Sequence, residues 1–156
     1  MNEFMKIAKE LSEDNVRTKV GGPFGACIVK DGVVIGKGSN HVLANNDPTA
    51  HAEVMAIRDA YANIGSHDLT GCEVYTSCYP CPMCLSAIIW SNIKTIYYGN
   101  TKEDAAKIGF RDDFIYKYIK DLGEKEDDLL VIKPLDRDET IKAFDAFEAD
   151  EESTIY

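Results

Sequence analysis

The order of apolar and polar residues predicts that the chain begins with a helix and a hairpin. Apolar side chains recur at roughly helical spacing over residues 2–19, which predicts an amphipathic helix. Two apolar runs, 24–29 and 33–42, flank Lys30-Asp31-Gly32, a combination typical of two strands joined by a tight turn.

The middle of the chain alternates between helix and strand signals. Asp47-Pro48 predicts a helix over 48–64, with the aspartate as its N-cap and the proline in its first turn. The same cap-plus-proline pattern predicts a helix over 82–91. Strands are expected over 73–77 and 93–99.

The last third of the chain is predicted to add three helices and a fifth strand. Helices are expected over 102–108 and 112–121, and the strand over Leu129–Ile132. A closing amphipathic helix is expected from about residue 136, because three apolar side chains share one of its faces: Ile141, Phe144 and Phe147. Strands that alternate with helices imply an α/β layer architecture.

The composition indicates one globular domain with an acidic surface. At 156 residues, with 45% hydrophobic and 28% charged residues, the chain is long enough to bury a core as a single domain over residues 1–156. The formal net charge of −10 disfavours binding to nucleic-acid phosphates. The apolar runs are too short to cross a bilayer. A small-molecule partner is therefore favoured over nucleic acid or a membrane.

The cysteines indicate a reducing compartment. Five is an odd number, and three of them lie within Cys78–Cys84, unlike a secreted disulfide framework. Residues 1–20 carry acids among their lysines and lack the pattern of a signal or transit peptide. We therefore expect a cytoplasmic location, with Cys27 and Cys72 as packing residues.

Two short motifs, about thirty residues apart, indicate a catalytic zinc site. His51-Ala52-Glu53 and Pro80-Cys81-Pro82-Met83-Cys84 form the His-x-Glu and Pro-Cys-x-x-Cys pattern of zinc-dependent nucleobase deaminases. His51, Cys81 and Cys84 supply three metal ligands, which leaves the fourth tetrahedral position for water. Glu53 is not a ligand, and we expect it to carry protons as the general base and acid of a hydrolytic reaction.

The two motifs can form one site only near the ends of their helices. Cys81 and Cys84 are three positions apart and share one helical face, whereas His51 and Glu53 are two apart, roughly 200° around a helix. All four meet only over helix N-termini, where the helix dipole also favours a thiolate. Two thiolates, a neutral imidazole and Zn²⁺ carry no net charge together, so a nearby base is useful for activating water.

The cysteine motif also has other interpretations. Cys78-x-x-Cys81-x-x-Cys84 is similar to an iron–sulfur run, but it lacks the fourth cysteine and the following proline. Cys78 is instead expected to lie beside the metal ligands or to be buried. A zinc-stabilised binding module without catalysis stays open as the non-enzyme alternative. That interpretation predicts a fourth protein ligand, for which His41 and Cys78 are the candidates nearest in sequence.

With these residues, the chain resembles the cytidine deaminase-like superfamily and, within it, the small bacterial guanine deaminases. The resemblance extends from about Gly21 to Lys120, with a weaker similarity at the C-terminus. Gly22–Ala26, Asn46–Glu53 and Pro80–Cys84 match the deaminase block that is shared across the superfamily's substrates. The segment from Gly109 to Tyr116 looks like the guanine deaminase version of the segment after the core and narrows the expectation to guanine.

The resemblance implies a three-layer α-β-α sandwich with a five-stranded mixed sheet between helices. It implies one zinc ion per chain and the hydrolysis of guanine, a purine base, to xanthine and ammonia. It also implies a homodimer in which the C-terminal helix and tail, about residues 136–156, are swapped onto the partner and help to close its active site.

Four further residues match the family's substrate contacts. Asn40 stands where the family places a base-reading asparagine, whose amide can donate to guanine O6 or N7. Phe24 would stack on the purine face. Asp112 occupies the acidic position, where a carboxylate can accept from guanine N–H groups or assist the leaving amine. Tyr156 matches a tyrosine proposed to cap the substrate. As ordinary structural residues these would be a turn asparagine, a core aromatic, a helix N-cap and a frayed end.

The chain departs from the family pattern at two places, and three other deaminase activities remain as alternatives. Tyr79 replaces the usual glutamate before the Pro-Cys-x-x-Cys motif, and the tail Ala149–Tyr156 is acidic where relatives are often more basic. A tRNA adenosine deaminase, a cytosine deaminase or a guanosine deaminase would use the same zinc site. The net charge of −10 weighs against a tRNA substrate.

Overall fold

The helices and strands follow one another in the alternating order of an α/β fold. The computed structural model of the chain describes residues 1–121, 129–130 and 132–155. Its elements are α1 (Glu3–Thr18), β1 (Gly25–Lys30), β2 (Val33–Ser39), α2 (Val42–Asn45), α3 (Ala52–Ile64), β3 (Cys72–Cys78), α4 (Pro82–Trp90), β4 (Thr95–Asn100), α5 (Lys102–Lys107), α6 (Asp113–Asp121) and α7 (Arg137–Ala149). They fall into two compact units, Met1–Ile119 and Lys120–Tyr156, the first of which contains the sheet.

The sheet is mixed, with the strand order β2-β1-β3-β4. The predicted hairpin is confirmed, since β1 pairs with β2 in an antiparallel register that places Lys30 opposite Val33. On its other edge β1 pairs antiparallel with β3, and β3 pairs parallel with β4. Parallel neighbours need a crossover connection, and α4 provides it. The crossover places the start of α4, and therefore Cys81, at the carboxyl end of β3.

The prediction of a fifth strand over Leu129–Ile132 was wrong, because the described residues of this segment do not form a strand. The sheet has four strands there, and the predicted segment 129–132 contains Val131, which lies outside the described residues. Leu129, Leu130 and Ile132 are not in a strand, and Ile132 is 79% exposed. A short apolar run becomes a strand only where a sheet edge pairs its backbone, and apolarity along the sequence carries no information about that partner.

Helices cover both faces of the sheet, which places its strands between two layers. On one face Cys27, Val29 and Tyr75 pack against Phe4 and Met5 of α1. The opposite face carries a larger cluster with α3 and α4: Ala26, Ile28, Val74, Ala52, Ala56, Ile57, Ala60 and Ile88. Alternate residues of β1 and β3 point to opposite faces, as the two-residue period of a strand requires. The layered α/β architecture is therefore confirmed.

The packing of α3 on the sheet depends on small residues. A Cβ atom at Gly38 of β2 would lie 2.3 Å from the backbone nitrogen of Ala56. Ala56 and Ala60 are fully buried on the facing side of the helix. Because no side chain separates them, the helix backbone lies directly against the strand. This close approach sets the position of the N-terminal turn of α3, which carries Glu53.

The strand predicted over 33–42 was too long. β2 ends at Ser39, and Val42–Asn45 forms the short helix α2 instead. The carboxamide oxygen of Asn40 accepts from the backbone nitrogen of Val42 at 3.2 Å. A local side-chain bond of this kind competes with the strand ladder and turns the chain.

The helix predicted over 48–64 begins later, at Ala52. The carboxylate of Asp47 accepts from the backbone nitrogen and the hydroxyl of Thr49, at 2.8 Å and 2.7 Å, and closes a local turn rather than capping the helix. His51 is the N-cap residue, with an extended backbone at φ −72° and ψ 157°. The delayed start places His51 at the helix tip, where the zinc prediction needs it.

The second unit contains α7, which confirms the helix expected from about residue 136. Two of the three apolar residues predicted to share a face, Phe144 and Phe147, are 74% and 50% exposed. Among the described residues, none of the helices has the length and apolarity needed to cross a membrane.

Candidate active site

Three potential metal ligands meet where α3 and α4 begin. His51 is the N-cap of α3, Cys81 is the N-cap of α4, and Cys84 follows in the first turn of α4. Their donor atoms all lie within 4.8 Å of one another. His51 Nδ1 is 3.5 Å from Cys81 Sγ and 3.6 Å from Cys84 Sγ. Zinc bonds of normal length at a tetrahedral angle would separate nitrogen and sulfur by about 3.6 Å. These three residues, which we call the metal group, therefore fit one zinc ion.

The pKa values of the two thiols are shifted in opposite directions. The hydrogen bond from Cys84 lowers the pKa of Cys81 to about 4, and His51 adds to this effect. The same bond, together with burial, raises the pKa of Cys84. The hydrogen bond with Cys81 also raises the pKa of His51, against the opposite effect of burial. One thiolate is thus stabilised in this group at neutral pH, and a bound zinc ion would replace the remaining thiol proton.

Glu53 lies in the first turn of α3 and is buried, at 6% exposure. The hydroxyl of Thr76 on β3 donates to its carboxylate, with 3.0 Å between Oγ1 and Oε1. Burial raises the pKa of Glu53, partly offset by hydrogen bonds from Cys84 and Thr76. A buried carboxyl beside a metal group has the position and the tuned pKa that a proton carrier needs.

These residues open onto a cavity of about 730 Å³. A volume in this range is typical of small-molecule sites. The lining residues come from the loops before β1, α2 and α3, from the start of α4, and from the segment around α5 and α6. They include Gly21, Gly22, Phe24, Asn40, His51, Glu53, Cys78, Tyr79, Cys81, Lys102, Phe110, Arg111 and Asp112.

Asn40 lies in this cavity and is 4% exposed. Its Oδ1 accepts from the backbone nitrogens of Gly22 and Val42, both at 3.2 Å. The orientation of the carboxamide is therefore set by two backbone donors. Its Nδ2 makes no hydrogen bond with the described residues and remains available to donate to a ligand.

Two of the other predicted substrate contacts also line the cavity. Phe24 is half-buried and packs edge-to-face on Phe110, with ring centroids 5.0 Å apart. Asp112 immediately precedes α6, and burial raises the pKa of its carboxyl, with a further effect from Cys81. Tyr156, the predicted cap, lies outside the described residues.

Tyr79 occupies the wall of the cavity where the family pattern has glutamate. Lys102 places its ammonium 4.4 Å from the ring centroid of Tyr79 and 3.8 Å from that of Tyr116. The Tyr116 hydroxyl donates to the carbonyl oxygen of Pro80 at 2.6 Å. The cation between two aromatic rings ties α6 to the loop that carries Cys81.

No fourth protein ligand joins the metal group among the described residues. Cys78 lines the cavity, but its Sγ contacts the carbonyl oxygen of Thr101 at 3.6 Å, and burial raises its pKa to about 11. His41 Nδ1 lies 2.9 Å from the carbonyl oxygen of Ser39. The fourth ligand required by the binding-module interpretation is not found in this part of the chain. The three-ligand arrangement leaves a coordination position for chemistry.

The sequence analysis missed two buried residues, Thr76 and Asn15, that form hydrogen bonds with residues of the cavity lining. Thr76 is a polar residue on the same face of β3 as the core residue Val74, and this mismatch was its signal. Asn15 likewise follows Ala8 and Ser12 at helical spacing on the face of α1 that meets β1. A polar residue on an apolar stripe needs a buried hydrogen-bond partner, but spacing alone cannot identify that partner.

The layered α/β fold, the His-Cys-Cys group and the buried glutamate define a zinc-dependent hydrolytic deaminase. Residues 1–100 match the cytidine and deoxycytidylate deaminase zinc-binding region. The chain belongs to this family.

Several relatives share more than the zinc motif. Guanine deaminase of Bacillus subtilis is 53% identical over 116 residues, which cover 74% of each chain. The crystal structure of that species' guanine deaminase superposes with a TM-score of 0.92 at 44% identity, covering 100% of this chain and 99% of the other. A tRNA-specific adenosine deaminase of Buchnera aphidicola is 42% identical over 88 residues, 56% of this chain and 58% of the relative.

Proposed function

We propose that the chain hydrolyses guanine to xanthine and ammonia at one zinc ion held by His51, Cys81 and Cys84. The observation that carries this proposal is that the metal group, the buried Glu53 and Asn40, whose amide nitrogen has no partner among the described residues, meet at one cavity. Similarity to guanine deaminase along the whole chain supports the choice of base.

When bound, zinc with an open fourth position would supply an acidified and oriented water molecule. Glu53 would take a proton from the attacking water, pass it to a ring nitrogen of the base, and later protonate the departing amine. A carbon–oxygen bond forms at C2 of guanine and the carbon–nitrogen bond to the amino group breaks, so guanine and water give xanthine and ammonia. Thr76 donates to one carboxylate oxygen of Glu53 and so orients the carboxyl for proton transfer.

The substrate contacts follow from the donors and acceptors of the cavity wall. Asn40 donates from Nδ2 to guanine O6 or N7, both of which are acceptors. Phe24 provides an aromatic face for the purine. Asp112 accepts from guanine N–H groups or assists the leaving amine. Tyr156 is proposed to cap the substrate from the end of the chain.

Guanosine is the second candidate, because the cavity of about 730 Å³ has room for more than a base. A tRNA substrate is disfavoured by the net charge of −10. The test is ammonia release from guanine, guanosine, adenine, cytosine and tRNA by zinc-loaded protein. Turnover of guanine alone supports the proposal. Turnover of guanosine alone would agree with the zinc mechanism but would show that guanosine, rather than guanine, is the substrate.

We also propose that the chain acts as a single deaminase domain within a homodimer. In this arrangement the helix and tail from about residue 136 cross onto the partner and help to close its cavity. The exposure of Phe144 and Phe147 on α7 supports a protein surface that covers them. A cytoplasmic location is proposed because all five cysteines are free thiols and the zinc ligands must stay reduced.

A further inference from the structure

Asn15 is a buried asparagine of α1 that joins two loops of the cavity wall. It is 2% exposed. Its Nδ2 donates to the carbonyl oxygen of Gly22 at 2.9 Å and to that of Asn40 at 2.6 Å. A carboxamide nitrogen has two hydrogens, so both are used to hold the loop before β1 against the loop after β2.

The same two loops are joined a second time by the side chain of Asn40. Its Oδ1 accepts from the backbone nitrogen of Gly22. The Gly22 peptide therefore contacts Asn15 through its oxygen and Asn40 through its nitrogen. A displacement of this loop would rotate the carboxamide of Asn40, which lines the cavity, and would redirect its Nδ2 donor.

Close packing at Gly21 leaves the loops little room to shift while keeping these bonds. A Cβ atom at this position would lie 2.3 Å from both the carbonyl oxygen and the Oδ1 of Asn40. Without Asn15, the buried carbonyl of Asn40 would also lose a hydrogen-bond donor. An unpaired buried carbonyl is costly, so the loop is expected to move until water or another group pairs with it.

We propose that Asn15 is a positioning residue for substrate binding, which holds the base-reading amide of Asn40 at the angle that guanine requires. Asn15 is not among the residues that line the cavity, so its effect reaches the base through Asn40. This inference rests on the proposed function, because it takes guanine as the ligand of that amide.

The first experiment measures binding separately from turnover. Zinc-loaded protein carrying Glu53→Gln is titrated with radiolabelled guanine by equilibrium dialysis. Adding Asn15→Ala is expected to raise Kd by roughly tenfold, the effect of one misdirected hydrogen bond. The matched control is Tyr61→Phe, which removes a hydrogen bond of 2.7 Å to Ser91 away from the cavity and should change Kd by less than about twofold.

A double-mutant cycle distinguishes positioning from a general loss of stability. If Asn15 acts through Asn40, then Asn15→Ala changes Kd by less than about threefold once Asn40→Ala is present. If Asn15→Ala raises Kd by the same factor with and without Asn40→Ala, the two residues act independently and the proposal is overturned. Zinc content and melting temperature are measured for each variant. Asn15→Ser, which removes less volume, replaces Asn15→Ala if the latter does not fold.

The outcomes separate this inference from the proposed function. Failure of the Glu53→Gln protein to bind guanine would overturn the proposed function and the inference with it. Guanine binding that is equally tight with Asn15→Ala or Asn15→Ser would overturn the inference alone. Weaker binding that depends on the presence of Asn40 supports both.

Discussion

The hydroxyl of Thr76 donates a hydrogen bond to the carboxylate of Glu53, with 3.0 Å between Oγ1 and Oε1. Thr76 lies on β3 and is 1% exposed, and Glu53 lies on the first turn of α3. The sheet therefore orients the carboxyl that the helix presents to the metal group. This hydrogen bond fixes the position of one carboxylate oxygen of Glu53.

Substitution of Thr76 by valine tests this orientation. Thr76→Val keeps the shape but removes the donor, and we expect kcat for guanine to fall roughly tenfold with KM little changed. Thr76→Ser keeps the hydroxyl and should stay within about threefold of the unmodified protein. Equal losses from both variants would show that packing, rather than the hydrogen bond, explains the effect.

Glu53→Gln is expected to keep zinc and lose turnover. The amide cannot accept the proton from water, so kcat should fall by about 10³-fold or more. Ammonia release and bound zinc per chain are the measurements. Glu73→Gln is the matched control, because Glu73 lies on β3 and accepts a hydrogen bond from Tyr75 outside the cavity lining. Retained turnover in Glu53→Gln would remove Glu53 as the proton carrier.

The metal group is expected to contribute to stability as well as to activity. Cys81→Ser or Cys84→Ser should lower bound zinc from about one per chain and abolish ammonia release. Chelation of the unmodified protein should lower its melting temperature by at least about 5 °C, because a ligand that binds only the folded state stabilises it. Cys72→Ala removes a cysteine outside the group and should retain zinc. Full zinc occupancy in Cys84→Ser would contradict the ligand assignment.

Cys27 is expected to make the fold sensitive to alkaline pH. Burial raises the pKa of its thiol to about 11. Its stabilising contribution is complete below the unfolded pKa and is lost between about pH 9 and pH 11, because the unfolded chain releases the proton first. The loss is roughly 3 kcal/mol, because each of the two pKa units corresponds to about 1.4 kcal/mol. Denaturant unfolding from pH 8 to 11 should show a shallower decline for Cys27→Ala. If the free energy of unfolding falls equally with pH in Cys27→Ala and in the unmodified protein, Cys27 is not the cause of the alkaline sensitivity.

Removal of the tail tests the proposed closure of the cavity by the C-terminus. A chain that ends at Asp150 lacks Tyr156, and kcat/KM for guanine should fall by about tenfold or more if the tail excludes water and caps the base. Full-length Thr154→Ala is the control. Light scattering reports whether the shortened chain still forms a dimer. Full activity in the shortened chain would contradict the proposed cap.

The metal group could be predicted because its signal is local. The spacing of His51, Cys81 and Cys84 indicates the ligands, and the tendency of Cys81-Pro82 to open a helix is a property of neighbouring residues. The helix predicted over 2–19 was confirmed as Glu3–Thr18 for the same reason. The helix start predicted at Pro48 failed because Asp47 bonds to Thr49 instead, a choice between two local turns.

Sequence alone determined the class of reaction, the candidate zinc ligands and the alternation of helices and strands, because motif spacing and hydrophobic period are encoded within a few residues. Tertiary structure decided which polar groups meet across long separations. Thr76 reaches Glu53 across 23 positions, and Asn15 reaches Asn40 across 25. It also decided that the residues described within 129–132 do not extend the sheet. Such pairings depend on how elements pack, and a buried polar group can be assigned a partner only after the fold has brought the two together.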